Sequence, residues 1–249
     1  VMILDRPNPI AGEKIEGPVL AQKHKSFVGF YPIPIRYGMT VGELAQMIIG
    51  ENWIDMNPVL TVIPIRNWNR SIWMDETNLP WVKPSPNIPD LVTAIIYPGM
   101  CLLEATNLNE GRGTQKPFKL VGSPWIQKRD LAIALNNLNL PGVVFKPVSY
   151  TPIDIPGMAI DPKHKEQLCE GVELMVTNRN KYNSALVGVH VINAIHQLYP
   201  NQLTIKESAM ARLWGQDGFS RDLKEGKVFS HLTNDDLFKN RSQKYYIYD

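Results

Sequence analysis

"CLLEATNLNEGRGT", residues 101–114, opens as an apolar run and closes as a turn crowded with hydrogen-bonding groups. Cys101, Leu102 and Leu103 read as the inner end of a strand over about residues 100–106. Glu104, Thr106, Asn107, Asn109, Glu110, Arg112 and Thr114 follow within eleven positions, and Gly111 and Gly113 bracket the arginine. In open α/β sheets, ligand-contacting residues gather beyond the carboxyl ends of strands. A strand that runs into such a loop is therefore a statement about the fold and about a site.

Outward from this stretch, short strands and helices alternate, which favours an α/β fold, with α+β also open. "VMIL" (1–4) has a buried-strand pattern, for which sheet neighbours on both sides are expected, and Asp5-Arg6-Pro7-Asn8-Pro9 turns the chain at its end. The sequence opens directly on this strand with no start methionine, so it reads as the later part of a longer protein. Residues 10–39 lack periodicity and read as a long ordered loop. Thr40 with Glu43 three residues on is a capping box, predicting a helix to about Ile49 that Gly50 ends. "VLTVIPI" (59–65) is a strand, and residues 67–89 form a loop rich in tryptophan and proline. A short helix starts at Pro89 or Asp90, and Pro98-Gly99 is expected to break it after Tyr97.

Beyond the opening stretch, residues 118–126 are extended and 128–138 fit a helix with Leu131, Ala134, Leu135 and Leu138 on one face. "VVFKPVSYTPI" and "GVELMVTN" are strands, "NSALVGVHVINAIHQLYP" is a buried helix, and short helices near 208–213, 217–225 and 233–242 finish the chain.

Composition excludes several classes. The net charge of +2 is too small to argue for nucleic acid or an anionic membrane surface. No apolar run approaches the roughly 18 residues of a membrane span. The five histidines are scattered without metal-ligand spacing, and neither a P-loop nor a G-x-S-x-G elbow occurs. Cys101 and Cys169 are expected as two free buried thiols.

Carboxylates and one arginine remain. Glu104 and Glu110 invite an acid–base pair, yet in an extended strand they would lie about 20 Å apart, beyond the roughly 5–9.5 Å that glycosidases use. The alternative is that Glu104 satisfies backbone donors and Glu110 neutralises Arg112. The guanidinium of Arg112 offers a fork suited to a ligand carboxylate, its glycines permitting close backbone approach. It could equally form a structural ion pair with Asp5 or Glu110. Trp68, Trp73 and Trp81 suit a sugar-stacking platform, but stapling the long loop to the core is the favoured role.

The segments "LDRPNPI", "EGPVL", "FVGFYPIPIRYGMTVGELA", "WMDETNLPWVKPSPNIP", "YPGMCLLEATNLNEGRGT", "PFKLVGSPWI" and "LPGVVFKPV" occur in this order. Together they resemble the exo-β-N-acetylmuramidase, or NamZ-like, family of peptidoglycan hydrolases over essentially the whole chain. The resemblance implies residues 1–39 as the end of an N-terminal Rossmann-like subdomain with its connecting loop, residues 40–249 as a C-terminal α/β subdomain, and a cleft between the two subdomains. It implies release of N-acetylmuramic acid from the non-reducing ends of glycan strands, no metal or organic cofactor, and an exported, periplasmic or extracellular enzyme. Its principal catalytic glutamate is expected in a "GPEHG"-like motif, which these 249 residues do not contain. Substrate-binding residues are expected at Asp5, Arg6, Asn8, Asn107, Glu110, Arg112 and Thr114, converging on one concave surface, with Arg112 reading the lactyl carboxylate that distinguishes muramic acid. Ala105 and Asn78 stand where the family commonly has glycine; asparagine tolerates left-handed backbone, whereas Ala105 puts the turn geometry in question. A non-catalytic glycan-binding or structural module is the competing reading.

Overall fold

The computed structural model describes residues 1–56, 58–232 and 236–249. Its first half contains β1 (Met2–Leu4), β2 (Glu16–Val19), β3 (Pro34–Arg36), α1 (Val41–Gly50) and β4 (Thr61–Ile63). The second contains α2 (Leu91–Met100), β5 (Leu120–Ser123), α3 (Lys128–Asn137), β6 (Val143–Tyr150), β7 (Cys169–Val176), α4 (Ser184–Leu198), α5 (Glu207–Trp214), α6 (Phe219–Lys224) and α7 (Asp236–Ser242). Helices and sheets are mixed, as the alternation predicts. The expected start of the last helix, residues 233–235, lies outside the described residues.

The capping box forms as read. The Thr40 hydroxyl accepts from Glu43 N–H at 3.2 Å, and the Glu43 carboxylate accepts from Thr40 N–H at 2.9 Å. Helix α1 connects β1 to β4, which pair in parallel. It closes on them at Gly42, where a Cβ would lie 2.6 Å from Val62. One face of this pair is open, because side chains alternate along a strand and α1 covers one side. Met2 and Leu4 are 67% and 68% exposed, which corrects the expectation of a buried strand flanked on both sides.

Residues 10–39 are not the uniform loop expected. Strands β2 and β3 pair antiparallel, with a register irregularity between Glu16 and Val19. Two strands of four and three residues, one carrying Gly17 and Pro18, show too little alternation to be read from sequence.

Pro98 does not break its helix. Asp90 caps α2 by accepting from Thr93 N–H at 2.8 Å, and the helix continues to Met100 with Pro98 inside it. A proline removes one backbone donor and clashes with the preceding turn. Here Ser184 repairs the ladder: its hydroxyl accepts from Gly99 N–H at 2.8 Å and donates to the Ile96 carbonyl at 2.8 Å. Gly99 also lets α4 in, since a Cβ there would lie 1.8 Å from the Ser184 carbonyl oxygen. The helix therefore runs directly into a 3-10 turn, Cys101–Ala105, where a strand over 100–106 was expected. Leu102, Leu103 and Ala105 are fully buried, so the apolar run reports the core and not a sheet. Ala105 does not adopt a positive φ, and neither does Asn78, so neither position needs glycine.

The core lies between the antiparallel sheet β5–β7–β6 and helices α2, α3 and α4. Both cysteines are buried and free. The tryptophan loop is stapled down: Trp68 and Trp73 are buried, and Trp73 Nε1 donates to Asn180 at 3.2 Å.

Glu16 is the buried hub. Its carboxylate accepts from Arg36 at 2.6 Å and from the first backbone N–H groups of α4, Ser184 at 2.6 Å and Ala185 at 3.2 Å. Breaking a buried pair strands the remaining charge. Glu16→Ala is expected to cost about 3–5 kcal/mol, read as a fall in the denaturant midpoint. A loss below about 1 kcal/mol would show that the pair contributes no more than an exposed one.

Candidate functional site

The loop after Ala105 folds back on itself. The Asn109 side chain holds it, accepting from Gly111 N–H at 2.8 Å and donating to the carbonyls of Arg112 at 3.1 Å and Lys163 at 2.9 Å. Gly111 and Gly113 take φ of 79° and 81°. A Cβ on Gly111 would meet the Lys116 carbonyl at 2.6 Å, and one on Gly113 would meet Pro162 at 2.6 Å. Close approach is thus to the protein's own chain, where approach to a ligand was expected.

The turn brings Glu104 and Glu110 to one guanidinium, which removes the 20 Å separation of an extended strand. Arg112 Nη2 lies 3.2 Å from Glu104 and Nε lies 3.7 Å from Glu110. Asp5 is not its partner. Glu110 is buried and also accepts from Lys163 Nζ at 3.0 Å. Lys163 further donates to the carbonyls of Leu103 at 2.9 Å and Glu104 at 3.3 Å, tying off the 3-10 turn. Nothing in "DPKHKE" (161–166) signals this role. The segment is strained: Asp161, His164 and Glu166 all have positive φ, each costing on the order of 1 kcal/mol. His164 Nε2 lies 2.7 Å from the Asn107 carbonyl oxygen.

Arg112 opens onto a cleft of about 390 Å³, lined also by Asn8, Arg36, Asn87, Tyr97, Ile35, Ile88 and Phe118. Three buried polar atoms of these side chains have no hydrogen-bond partner in the protein: Arg36 Nε, Asn87 Oδ1 and Arg112 Nε. All three atoms are sealed from solvent, so direct contact with a ligand falls to the exposed parts of Arg112 and Tyr97, 36% and 38% exposed. Arg36, Asn87 and Tyr97 were not picked out from the sequence; Arg36 lies in "FVGFYPIPIRYGMTVGELA" and Tyr97 in "YPGMCLLEATNLNEGRGT", but only the packing sets them in one wall.

Of the expected substrate residues, Asn8 and Arg112 meet in this cleft. The others do not join them. Asp5 accepts from Gly42 N–H at 2.8 Å, Thr40 Oγ1 at 2.6 Å and the Tyr248 hydroxyl at 2.7 Å, so it closes α1 against the C-terminal tail. Arg6 is exposed beside it. Asn107 is held by Gln202 and Thr204 backbone groups at 2.8 and 3.0 Å. Thr114 donates to Gly111 at 2.7 Å within its own turn, and Glu110 is sealed beneath Arg112. Short polar side chains in turns bond their own backbone as readily as a ligand, which sequence cannot distinguish.

Burial raises the Glu104 carboxyl above its ordinary value. The Arg112 charge opposes this shift, Glu110 adds to it, and desolvation outweighs the ion pair. Tyr97, half-buried in the same wall, is pushed up to about 12 by burial and stays a neutral donor.

Residues 1–92 match the family described as "Exo-beta-N-acetylmuramidase NamZ, N-terminal", and residues 95–248 match "Exo-beta-N-acetylmuramidase NamZ, C-terminal". The chain belongs to the NamZ family. It is 41% identical over 253 aligned positions to "Peptidoglycan beta-N-acetylmuramidase NamZ" of Bacillus subtilis (strain 168), covering 99% of this chain and 59% of that protein. Two solved structures of DUF1343 family proteins from Bacteroides fragilis NCTC 9343 are similar, each 32% identical, with TM-scores of 0.91 and 0.75. Each match covers 100% of this chain and 66% of the other. The chain thus spans about three fifths of the NamZ relative and two thirds of each solved one.

A raised carboxyl binds its proton more tightly in the folded state. Its stabilising contribution is complete below the unfolded value, about pH 4.5, and is lost as pH rises through the higher folded value. Glu104→Gln removes this dependence. The variant should gain in thermal midpoint relative to wild type as pH goes from about 4 to 7. A variant that instead loses thermal midpoint relative to wild type over this range would mean that the ion pair outweighs burial.

Proposed function

We propose that this chain forms part of an exported peptidoglycan exo-glycosidase that releases N-acetylmuramic acid from non-reducing glycan ends. Membership of the NamZ family supports the reaction class. The single observation that carries the substrate is the cleft onto which the guanidinium of Arg112, 36% exposed, opens beside Asn8, Tyr97 and Ile35. N-acetylmuramic acid presents a lactyl carboxylate, an acetamido group and a pyranose with apolar faces. Arg112 meets the carboxylate, Tyr97 donates to a polar group of the sugar, and Ile35 packs on the ring.

Glu104 is then a positioning residue. It holds Arg112 at 3.2 Å, and its protonation leaves the guanidinium free for the incoming carboxylate. Glycoside hydrolysis needs an acid to protonate the leaving oxygen and a carboxylate that activates water or attacks C1. In this reading that chemistry includes the glutamate of the family's "GPEHG"-like motif, which these residues do not contain. Glu104 and Glu110 shape the binding side. No metal or organic cofactor enters the reaction.

Free N-acetylmuramic acid, released from a defined glycan by the protein that carries this chain, is the test. Arg112→Ala should lower kcat/KM for muramic acid glycosides by about 10- to 150-fold, the worth of a charge-assisted contact, and N-acetylglucosamine glycosides much less. Arg112→Lys, which keeps charge but loses the fork, should recover part of the loss. Equal losses on both substrates with a lower melting temperature would make Arg112 a structural ion-pair residue. Binding without release would leave a glycan-binding module.

A further inference from the structure

A second recess, of about 340 Å³, adjoins the Arg112 cleft. The two share Ile35, Tyr37, Tyr97 and Pro98 as a common wall. Arg112 lines the first and Glu104 lines the second, and these two side chains pair across the divide at 3.2 Å. A ligand lying over Tyr97 would therefore place one unit in each recess, on either side of this pair.

The outer recess differs in character. Its rim is a tight hairpin closed by Ser26 N–H to the Gly29 carbonyl at 2.8 Å and Gly29 N–H to the Ser26 carbonyl at 3.2 Å. The tip carries Phe27, which is fully exposed at 103%, and Val28 at 63%. Phe30 follows at 51%, with Lys25 Nζ 3.8 Å above its ring and Tyr31 edge-on at 5.1 Å. A phenylalanine standing wholly in water buries nothing in its own fold, so the core does not account for it. The hairpin is anchored from below by Ala21 N–H to the Gly215 carbonyl at 2.8 Å, so the exposed rings sit on fixed backbone.

We infer that this outer recess, with Phe27 and Phe30 as its stacking faces, is the subsite for the sugar on the leaving side of the scissile bond, an N-acetylglucosamine unit that continues into the glycan strand. The inference rests on the muramic acid reading of the Arg112 cleft. An exo-acting site must enclose one terminal unit and leave the other side open for a long strand. The inner cleft has the partly exposed arginine, suited to the charged terminal sugar. The outer recess has aromatic faces, suited to a neutral pyranose whose C–H faces pack on rings.

Calorimetric titration of the 249-residue chain with two ligands tests this. One is the methyl glycoside of N-acetylmuramic acid; the other is that sugar β-linked to N-acetylglucosamine. The disaccharide should bind about three- to tenfold tighter, the worth of one stacking contact. Phe27→Ala and Phe30→Ala, at exposed positions where folding is not at stake, should shrink the ratio of the two affinities toward one. A disaccharide that gains nothing over the monosaccharide, or a gain that survives both substitutions, overturns the subsite while the muramic acid reading stands. If neither ligand binds, or if Arg112→Ala leaves monosaccharide affinity unchanged, the reading of the inner cleft fails and the subsite falls with it.

Discussion

One buried carboxylate, that of Glu16, joins four parts of this molecule. It bonds Arg36 across the β2–β3 pair and takes the first two N–H groups of α4. The N-terminus of a helix carries unpaired donors and a partial positive charge, so an anion there is doubly favoured. The same Ser184 that Glu16 fixes supplies the hydroxyl that bridges the gap Pro98 leaves in α2. Helix α2 therefore continues, and the 3-10 turn bearing Glu104 follows without a break. The placement of Arg112 against its cleft depends on this chain of contacts. So does Arg36, which is both the partner of Glu16 and part of the cleft wall.

The cleft lies where elements distant in sequence meet. Asn8 and Arg36 come from the first forty residues, Asn87 and Tyr97 from the loop and helix around position 90, and Arg112 from the folded-back turn. The strained 161–166 segment holds that turn from outside through Lys163 and His164. Left-handed backbone at three non-glycine positions is tolerated because the surrounding bonds over-determine it. The arrangement fixes a guanidinium between two carboxylates, one sealed and one at the cleft edge. The edge carboxylate of Glu104 carries the raised proton affinity, so how far it neutralises the Arg112 guanidinium depends on pH.

A second buried network ties the chain ends together. Glu43 pairs with Arg70 at 2.6 Å and accepts from Ile247 N–H at 2.9 Å, while the Arg70 guanidinium lies 3.5 Å from the Tyr246 ring. Tyr248 reaches both Asp5 and the backbone of Ile65, at 2.7 and 2.9 Å. The C-terminal "YYIYD" thus locks α1 and its parallel strands in place. Asp5 looked like a site residue because it ends a strand beside two prolines. Its three partners instead make it the joint of this lock.

Local chemistry was legible in the sequence by itself. The Thr40–Glu43 capping box, the Asp90 cap, the helix over 184–198 and the mixed α/β class all follow from patterns within a few residues of each other, where spacing alone fixes geometry. The ordered motifs also carried the family. Long-range contacts decided the rest. Pro98 reads as a stop, and only Ser184, 86 positions on, makes it a continuation. Glu104 and Glu110 read as distant, and only the fold-back turn puts them on one guanidinium. Asn107 and Thr114 read as ligand groups, and only the packing shows that backbone uses them, that of Gln202 and Thr204 for Asn107 and that of Gly111 for Thr114. Polar side chains take whichever partner the tertiary structure brings within about 3 Å, and a sequence does not contain that distance.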